Sequence, residues 1–119
     1  MKNFSEIKFV PKGWGYEKWI VNKKEYCGKI LWFAKGKKCS WHYHKLKDEV
    51  FYIRKGKLKV RYGYHHDISK CDETILEPGD NFYVPPLLVH QMLALEDTEM
   101  LEFSTQHFEE DSYRVKRGD

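Results

Sequence analysis

Four residues of this chain are of the kinds, and at the spacings, that hold a metal ion: His42, His44, Glu49 and His90. Side chains two apart on an extended strand share a face at a separation of about 7 Å, so His42 and His44 point into one volume while Trp41 and Tyr43 point the other way. The short polar stretch from Lys45 to Asp48 lets the chain turn, and Glu49 then opens a new strand-like run with a carboxylate that can approach the same point from a neighbouring backbone. His90 follows the rigid pair Pro85-Pro86 at the start of another such run. Three imidazoles and one carboxylate suit a divalent first-row transition ion, Mn, Fe, Co, Ni or Zn, and disfavour calcium and magnesium, which prefer oxygen ligands throughout. A six-coordinate ion on these four would keep two positions open for a bidentate substrate, whereas a tetrahedral zinc would be filled and structural.

The elements that must carry these residues are strands. Gly28 to Phe33, Glu49 to Arg54, Leu58 to Tyr64, Thr74 to Leu76, Asn81 to Val84, Val89 to Leu95 and Met100 to Ser104 are short β-branched or aromatic runs. Lys35-Gly36-Lys37, Lys55-Gly56-Lys57 and Glu77-Pro78-Gly79-Asp80 supply the residues tight turns require, and Glu96-Asp97 breaks the chain before the last run. No segment of ten residues keeps a 3.6-residue apolar period with caps. An all-β sandwich or barrel is expected, as one domain over 1–119: a barrel core of about 28–105, an N-terminal arm at 1–27 and a C-terminal tail at 106–119 that Phe108 and Tyr113 anchor.

Composition narrows the function classes. Aromatic residues, 16% of the chain, are spread along its whole length, which argues for a filled interior rather than disorder. Cys27, Cys39 and Cys71 are odd in number and far apart, so neither a disulfide framework nor a CxxC motif is available and a reducing compartment is expected. With no apolar block at the start and no run of about 20 apolar residues, the expectation is a soluble cytoplasmic protein that engages no membrane. The 21 basic and 18 acidic residues are interleaved, and no nucleic-acid-binding module is recognisable. The local basic excess at Lys35, Lys37, Lys38, Lys45 and Lys47 favours an anionic small molecule instead.

Gly36, His42, His44, Glu49 and Gly56 stand at the spacing G-x5-H-x-H-x4-E-x6-G, which resembles the first motif of the cupins. The second cupin motif, G-x5-P-x-G-x2-H-x3-N, is met at Gly79, Pro85 and His90 but not at Leu87 and Ala94, which replace its inner glycine and its asparagine. A leucine in a glycine-only backbone conformation would be strained. The resemblance implies a double-stranded β-helix, or jelly roll, with His42, His44, Glu49 and His90 as ligands of one divalent transition ion. Trp14-Gly15-Tyr16-Glu17, Val84-Pro85-Pro86, Ala94-Leu95-Glu96-Asp97, Glu102-Phe103-Ser104-Thr105 and Asp111-Ser112-Tyr113-Arg114 make the chain similar to the small type II mannose-6-phosphate isomerase group.

That likeness implies a metal-dependent isomerase of sugars or sugar phosphates, in which the ion polarises a carbonyl and a second group moves a proton between neighbouring carbons. Glu102, Lys45 and Tyr52 are the candidates for that group. Among arginines able to fork onto a phosphate, Arg54, Arg61 and Arg114, the resemblance favours Arg114. The alternatives are a non-catalytic, metal-containing sugar-binding cupin and an iron-dependent dioxygenase. Aromatic side chains on the strands, Trp32, Trp41, Tyr43 and Tyr52, are expected to pack rather than to bind sugar. His65 and His66 read as a solvated loop pair, His107 as a tail residue without a role, and Cys39 as a buried inert thiol. Exposed sheet edges in so short a chain point to a homodimer.

Overall fold

Along residues 27–33, 49–55 and 98–104 buried side chains alternate with more exposed ones at a period of two, and the buried set changes character from one end of each segment to the other. The computed structural model describes residues 3–119. Among the described residues there are eleven strands: β1 (Lys8–Lys12), β2 (Gly15–Asn22), β3 (Cys27–Phe33), β4 (Trp41–Tyr43), β5 (Glu49–Lys55), β6 (Leu58–Gly63), β7 (Asp72–Leu76), β8 (Asn81–Val84), β9 (Val89–Ala94), β10 (Thr98–Ser104) and β11 (Tyr113–Lys116). They form a six-stranded sheet, in the order β1-β2-β3-β10-β5-β8, and a five-stranded sheet, in the order β11-β4-β9-β6-β7. Every named pairing is antiparallel. Two facing antiparallel sheets with this order make the jelly roll the sequence led one to expect.

Inward positions on β3 are Lys29, Leu31 and Phe33; on β5 Glu49, Phe51 and Ile53; on β10 Thr98, Met100 and Glu102. Met100 lies opposite Leu31 on one side and Ile53 on the other, so the apolar members fall in one layer. Leu58, Val60, Met92 and Ala94 close that layer from the second sheet. Burying each such side chain stabilises the fold by about 1.5–3 kcal/mol. At the opposite end of the same rows stand Lys29, Glu49 and Glu102, facing His42 and His90. One half of the barrel is therefore an apolar core and the other half a polar cavity.

Turn chemistry holds the register. Gly56, between β5 and β6, has φ +97, and a Cβ there would collide with the carbonyl of Asp97, so both conformation and space require glycine. Residues 8–22, read from sequence as an arm outside the barrel core, form β1 and β2, which extend the six-stranded sheet. Their mixed patterns leave most side chains on β1 exposed, because this hairpin is the sheet's edge with solvent on one face. Pro11 is tolerated there for the same reason. The tail is also structured: Tyr113–Lys116 pairs with β4. No helix among the described residues is long and apolar enough to cross a membrane.

Candidate metal centre

His42 on β4 and His90 on β9 are direct cross-strand partners, and His44 follows one residue past the end of β4. One nitrogen from each of the three rings lies within 4.8 Å of the others. In all three the Nδ1 atom meets a backbone carbonyl: His42 that of Ser40 at 2.8 Å, His44 that of Asp111 at 2.9 Å, and His90 that of Leu88 at 3.0 Å. A carbonyl only accepts, so each Nδ1 carries the hydrogen and each Nε2 keeps a lone pair. Fixing the tautomer from behind is how proteins prepare an imidazole as a ligand. Burial, then the neighbouring rings, holds the His42 pKa well below its usual value; burial also lowers that of His44, and pushes that of His90 down to about 3. All three are neutral at physiological pH.

Glu49, at the start of β5, brings Oε2 to 3.5 Å from Nε2 of His44 and 3.7 Å from Nε2 of His90. Glu49 Oε2 and His90 Nε2 are both buried and have no hydrogen-bond partner among the described residues. Leaving a carboxylate oxygen and an imidazole lone pair unpaired in the interior is costly. A shared cation satisfies both, and the donor types and spacing fit one transition metal ion.

Beyond Glu49 the cavity, about 730 Å³, holds a second cluster. Lys47 is 3% exposed, and its ammonium donates to Glu102 Oε2 at 2.7 Å and to His107 Nδ1 at 3.0 Å, with Glu49 Oε1 at 3.5 Å. Lys29, directly across from Glu102 on β3, lies 3.9 Å from the same oxygen and 3.4 Å from Glu17. Burial alone would lower the Lys47 pKa, but Glu102 and Glu49 outweigh it and raise it. Burial alone would likewise raise that of Glu102, yet Lys47 and Lys29 hold it below the carboxylate range. Glu49 moves the other way, raised by burial and by Glu102. His107, half-buried beside these two lysines, is held down at about 3 by desolvation first and then by their charge.

The tail fixes this arrangement. The Asp111 carboxylate is buried and accepts backbone N–H bonds from Lys45, Leu46 and Lys47 at 2.9–3.2 Å, while its own carbonyl orients His44. One residue thus clamps the loop that leads from His44 to Glu49. Leu87, at the position of the cupin motif's inner glycine, adopts φ 76, the left-handed region expected of that glycine, and donates its N–H to the carbonyl of His44 at 2.7 Å.

Of the residues singled out from sequence, His42, His44, Glu49, His90, Glu102 and Arg114 line this cavity. Lys45 and Tyr52 do not. Lys45 lies over the ring of Tyr113, and Tyr52, 39% exposed, has the outward parity of β5. His107, expected to be a tail residue without a role, lines the cavity, and Lys47 had been read only as part of a basic stretch. Lys47 lies in the loop before β5 and His107 on a non-strand return, and neither position carries a local signal. His66 stacks on Tyr43 outside the barrel, and Trp41 is fully buried with its indole N–H on the carbonyl of His66. Cys39 is buried, and burial pushes its thiol up to about 12, an inert state.

A two-sheet barrel with histidines converging at one end defines a cupin-type protein. Residues 30–105 match the Cupin_2 family, described as Cupin domain, and the chain belongs to that family. Similar solved structures include the capsular polysaccharide assembling protein CapF from Staphylococcus aureus, 16% identical with a TM-score of 0.79 over 93% of this chain and 34% of that one. Oxalate decarboxylase from Bacillus subtilis is 21% identical, with a TM-score of 0.80 over 93% of this chain and 30% of that one. KdgF from Halomonas sp. is 20% identical, with a TM-score of 0.72 over 89% of this chain and 92% of that one. The chain spans about a third of the length of the first two. At these identities the likeness is one of fold. No curated protein sequence matches the chain.

Proposed function

We propose that the chain is a metal-dependent isomerase of a small sugar or sugar phosphate, with Mn, Fe, Co, Ni or Zn on His42, His44, Glu49 and His90. The observation that carries this reading is the juxtaposition, in one cavity, of ligand-ready imidazoles with the buried Lys47–Glu102 pair. A bound divalent ion supplies Lewis-acid polarisation of a substrate oxygen. Glu102 is the residue to take a proton from one carbon and return it to its neighbour, the only one of the three sequence candidates that lines the cavity. The Lys47 ammonium faces the charge that develops on the substrate oxygen as that proton leaves. Arg114 at the cavity wall is suited to a substrate phosphate. The resemblance to type II mannose-6-phosphate isomerases and the fold shared with a capsular polysaccharide assembling protein support a carbohydrate substrate.

One observation favours the non-catalytic sugar-binding reading: Glu102 is already committed to two lysines, which makes it a feeble base. Two measurements separate the readings. Elemental mass spectrometry on untagged protein should find about one transition ion per chain, lost on joint replacement of His42 and His90 by Ala. The loaded protein, incubated with aldose and ketose phosphates in D2O, should then place deuterium on the carbon beside the carbonyl, and Glu102→Gln should stop it. Metal with sugar binding but no exchange is the outcome of the second reading; no metal under any loading overturns both.

We also infer a homodimer. Ile30, Val50, Tyr52, Tyr83, Leu101 and Phe103 lie in register on the outward side of the six-stranded sheet, and Tyr52, Tyr83 and Phe103 are exposed. Such a face suits a second copy of the chain, and sedimentation of the parent against Phe103→Lys tests it, a dimer falling to monomer.

A further inference from the structure

The outer face of the five-stranded sheet carries a second concavity, of about 330 Å³, that the metal centre does not use. Its floor is a row set by strand pairing: Arg61 on β6 lies directly between Gln91 on β9 and Glu73 on β7. Gln91 is buried, donates Nε2–H to the carbonyl of Cys39 at 2.9 Å, and accepts from Nη1 of Arg61 at 3.1 Å. Glu73 accepts from Nε of Arg61 at 2.9 Å. The guanidinium is thus held from two sides, while its Nη2 amino group has no partner among the described residues. One wall is the turn through Ile68–Lys70; the other carries Lys38, Lys116 and Arg117. Among the described residues none of these three side chains has an ion-pair partner.

The lining sets four cations against one carboxylate, an excess of three that equals the formal net charge of the whole chain. The rest of the chain is balanced, and an anion bound here would relieve the repulsion. Its size lies at the small end of ligand pockets, and the turn closes one side, so the fit is to a compact group rather than to a nucleic-acid backbone, which needs an extended basic groove. A prealigned arginine with a free amino edge beside unpaired ammonium groups is the chemistry of phosphoryl recognition.

We propose that this pocket binds a phosphate or phosphate monoester group, at a site separate from the metal centre. Arg117 also lines the metal cavity, so the two sites share a wall at the mouth of the barrel. The proposal does not depend on the isomerase reading.

The test is amide NMR of the full chain titrated with inorganic phosphate at constant ionic strength. Saturable shifts are expected at residues 68–73 and around Arg61 and Arg117. Lys116→Gln, at an exposed position that leaves the fold intact, should weaken binding roughly tenfold, the loss of one charge-assisted contact, and Arg61→Gln should remove the local shifts altogether. Shifts confined to His42 and Arg114 and unchanged in both variants would assign the anion to the metal cavity and overturn the proposal. So would an absence of saturation up to about 20 mM, weaker than the millimolar range of a useful site. Tighter binding of a single-stranded oligonucleotide at the same residues would overturn the small-ligand assignment.

Discussion

Replacing Lys47 by Met tests the cavity's electrostatic construction. Methionine keeps the unbranched stem out to the ε position and removes the ammonium. Glu102 is then left with Lys29 at 3.9 Å in place of a 2.7 Å partner, and Glu49 loses its 3.5 Å cation, both carboxylates being almost fully buried. Orphaning a buried charge costs about 3–5 kcal/mol; Lys29 offsets part of this, so a loss of about 3 kcal/mol is expected. For a chain of this size, with a urea slope of about 1.5 kcal/mol/M, the unfolding midpoint should fall by about 2 M at neutral pH. The measurement belongs on chelator-treated protein, where no metal masks the effect. Adding Glu102→Gln to Lys47→Met should recover most of the loss, because the double variant no longer buries the unpaired charge. The deficit should also shrink as pH falls and Glu102 takes up a proton. A single variant within about 1 kcal/mol of the parent, or a double variant no better than the single, would refute the reasoning.

Further outcomes follow from the same geometry. Asp111→Ala removes the acceptor of three N–H groups, that of Lys47 buried and those of Lys45 and Leu46 part-buried, and should destabilise the protein by about 3 kcal/mol while weakening metal binding about 10–100-fold, the range for groups that orient ligands; calorimetric metal titration checks it. Leu87→Gly should stabilise: relief of a left-handed leucine gains about 1–2 kcal/mol and glycine's added chain entropy gives back about 0.5–1, a rise of a few degrees in melting temperature. In metal-free protein, buried neutral His42, His44 and His90 bind protons more readily once unfolded, so stability should fall as pH drops from about 6.5 toward 3. Glu49, whose pKa is raised in the fold, acts oppositely above the ordinary carboxylate value and softens the upper part of that loss. Denaturation midpoints across this range, with chelator present, test the sign.

The convergence of the candidate ligands was legible because strand parity is a local rule: His42 and His44 two apart, then Glu49 at the head of a run, need only neighbouring backbone to be aimed. The turn glycines were legible for the same reason. Lys47 was hidden by a polar loop that looks solvated, and only its burial beside Glu102, a residue of a distant strand, turns it into part of the site. Asp111 and His107 enter through the path of the tail, which depends on the whole barrel. β1 and β2 escaped because an edge hairpin with one wet face carries lysines where a central strand would carry aliphatic residues. Leu87 shows the converse: the neighbouring structure imposes a left-handed turn on a residue that resists it.

The clamp at Asp111 has a consequence for how the protein comes into being. Closing a long loop costs chain entropy before its contacts repay it, and this contact joins residue 111 to residues 44–47. A chain that has assembled its sheets but not yet docked its tail holds the three imidazoles near one another with the ring of His44 free to rotate and the loop to Glu49 slack. An ion bound at that stage would sit in an unfinished site and exchange readily, and docking of the tail would slow its escape. Retention of an ion would then rest on a residue that need never touch it.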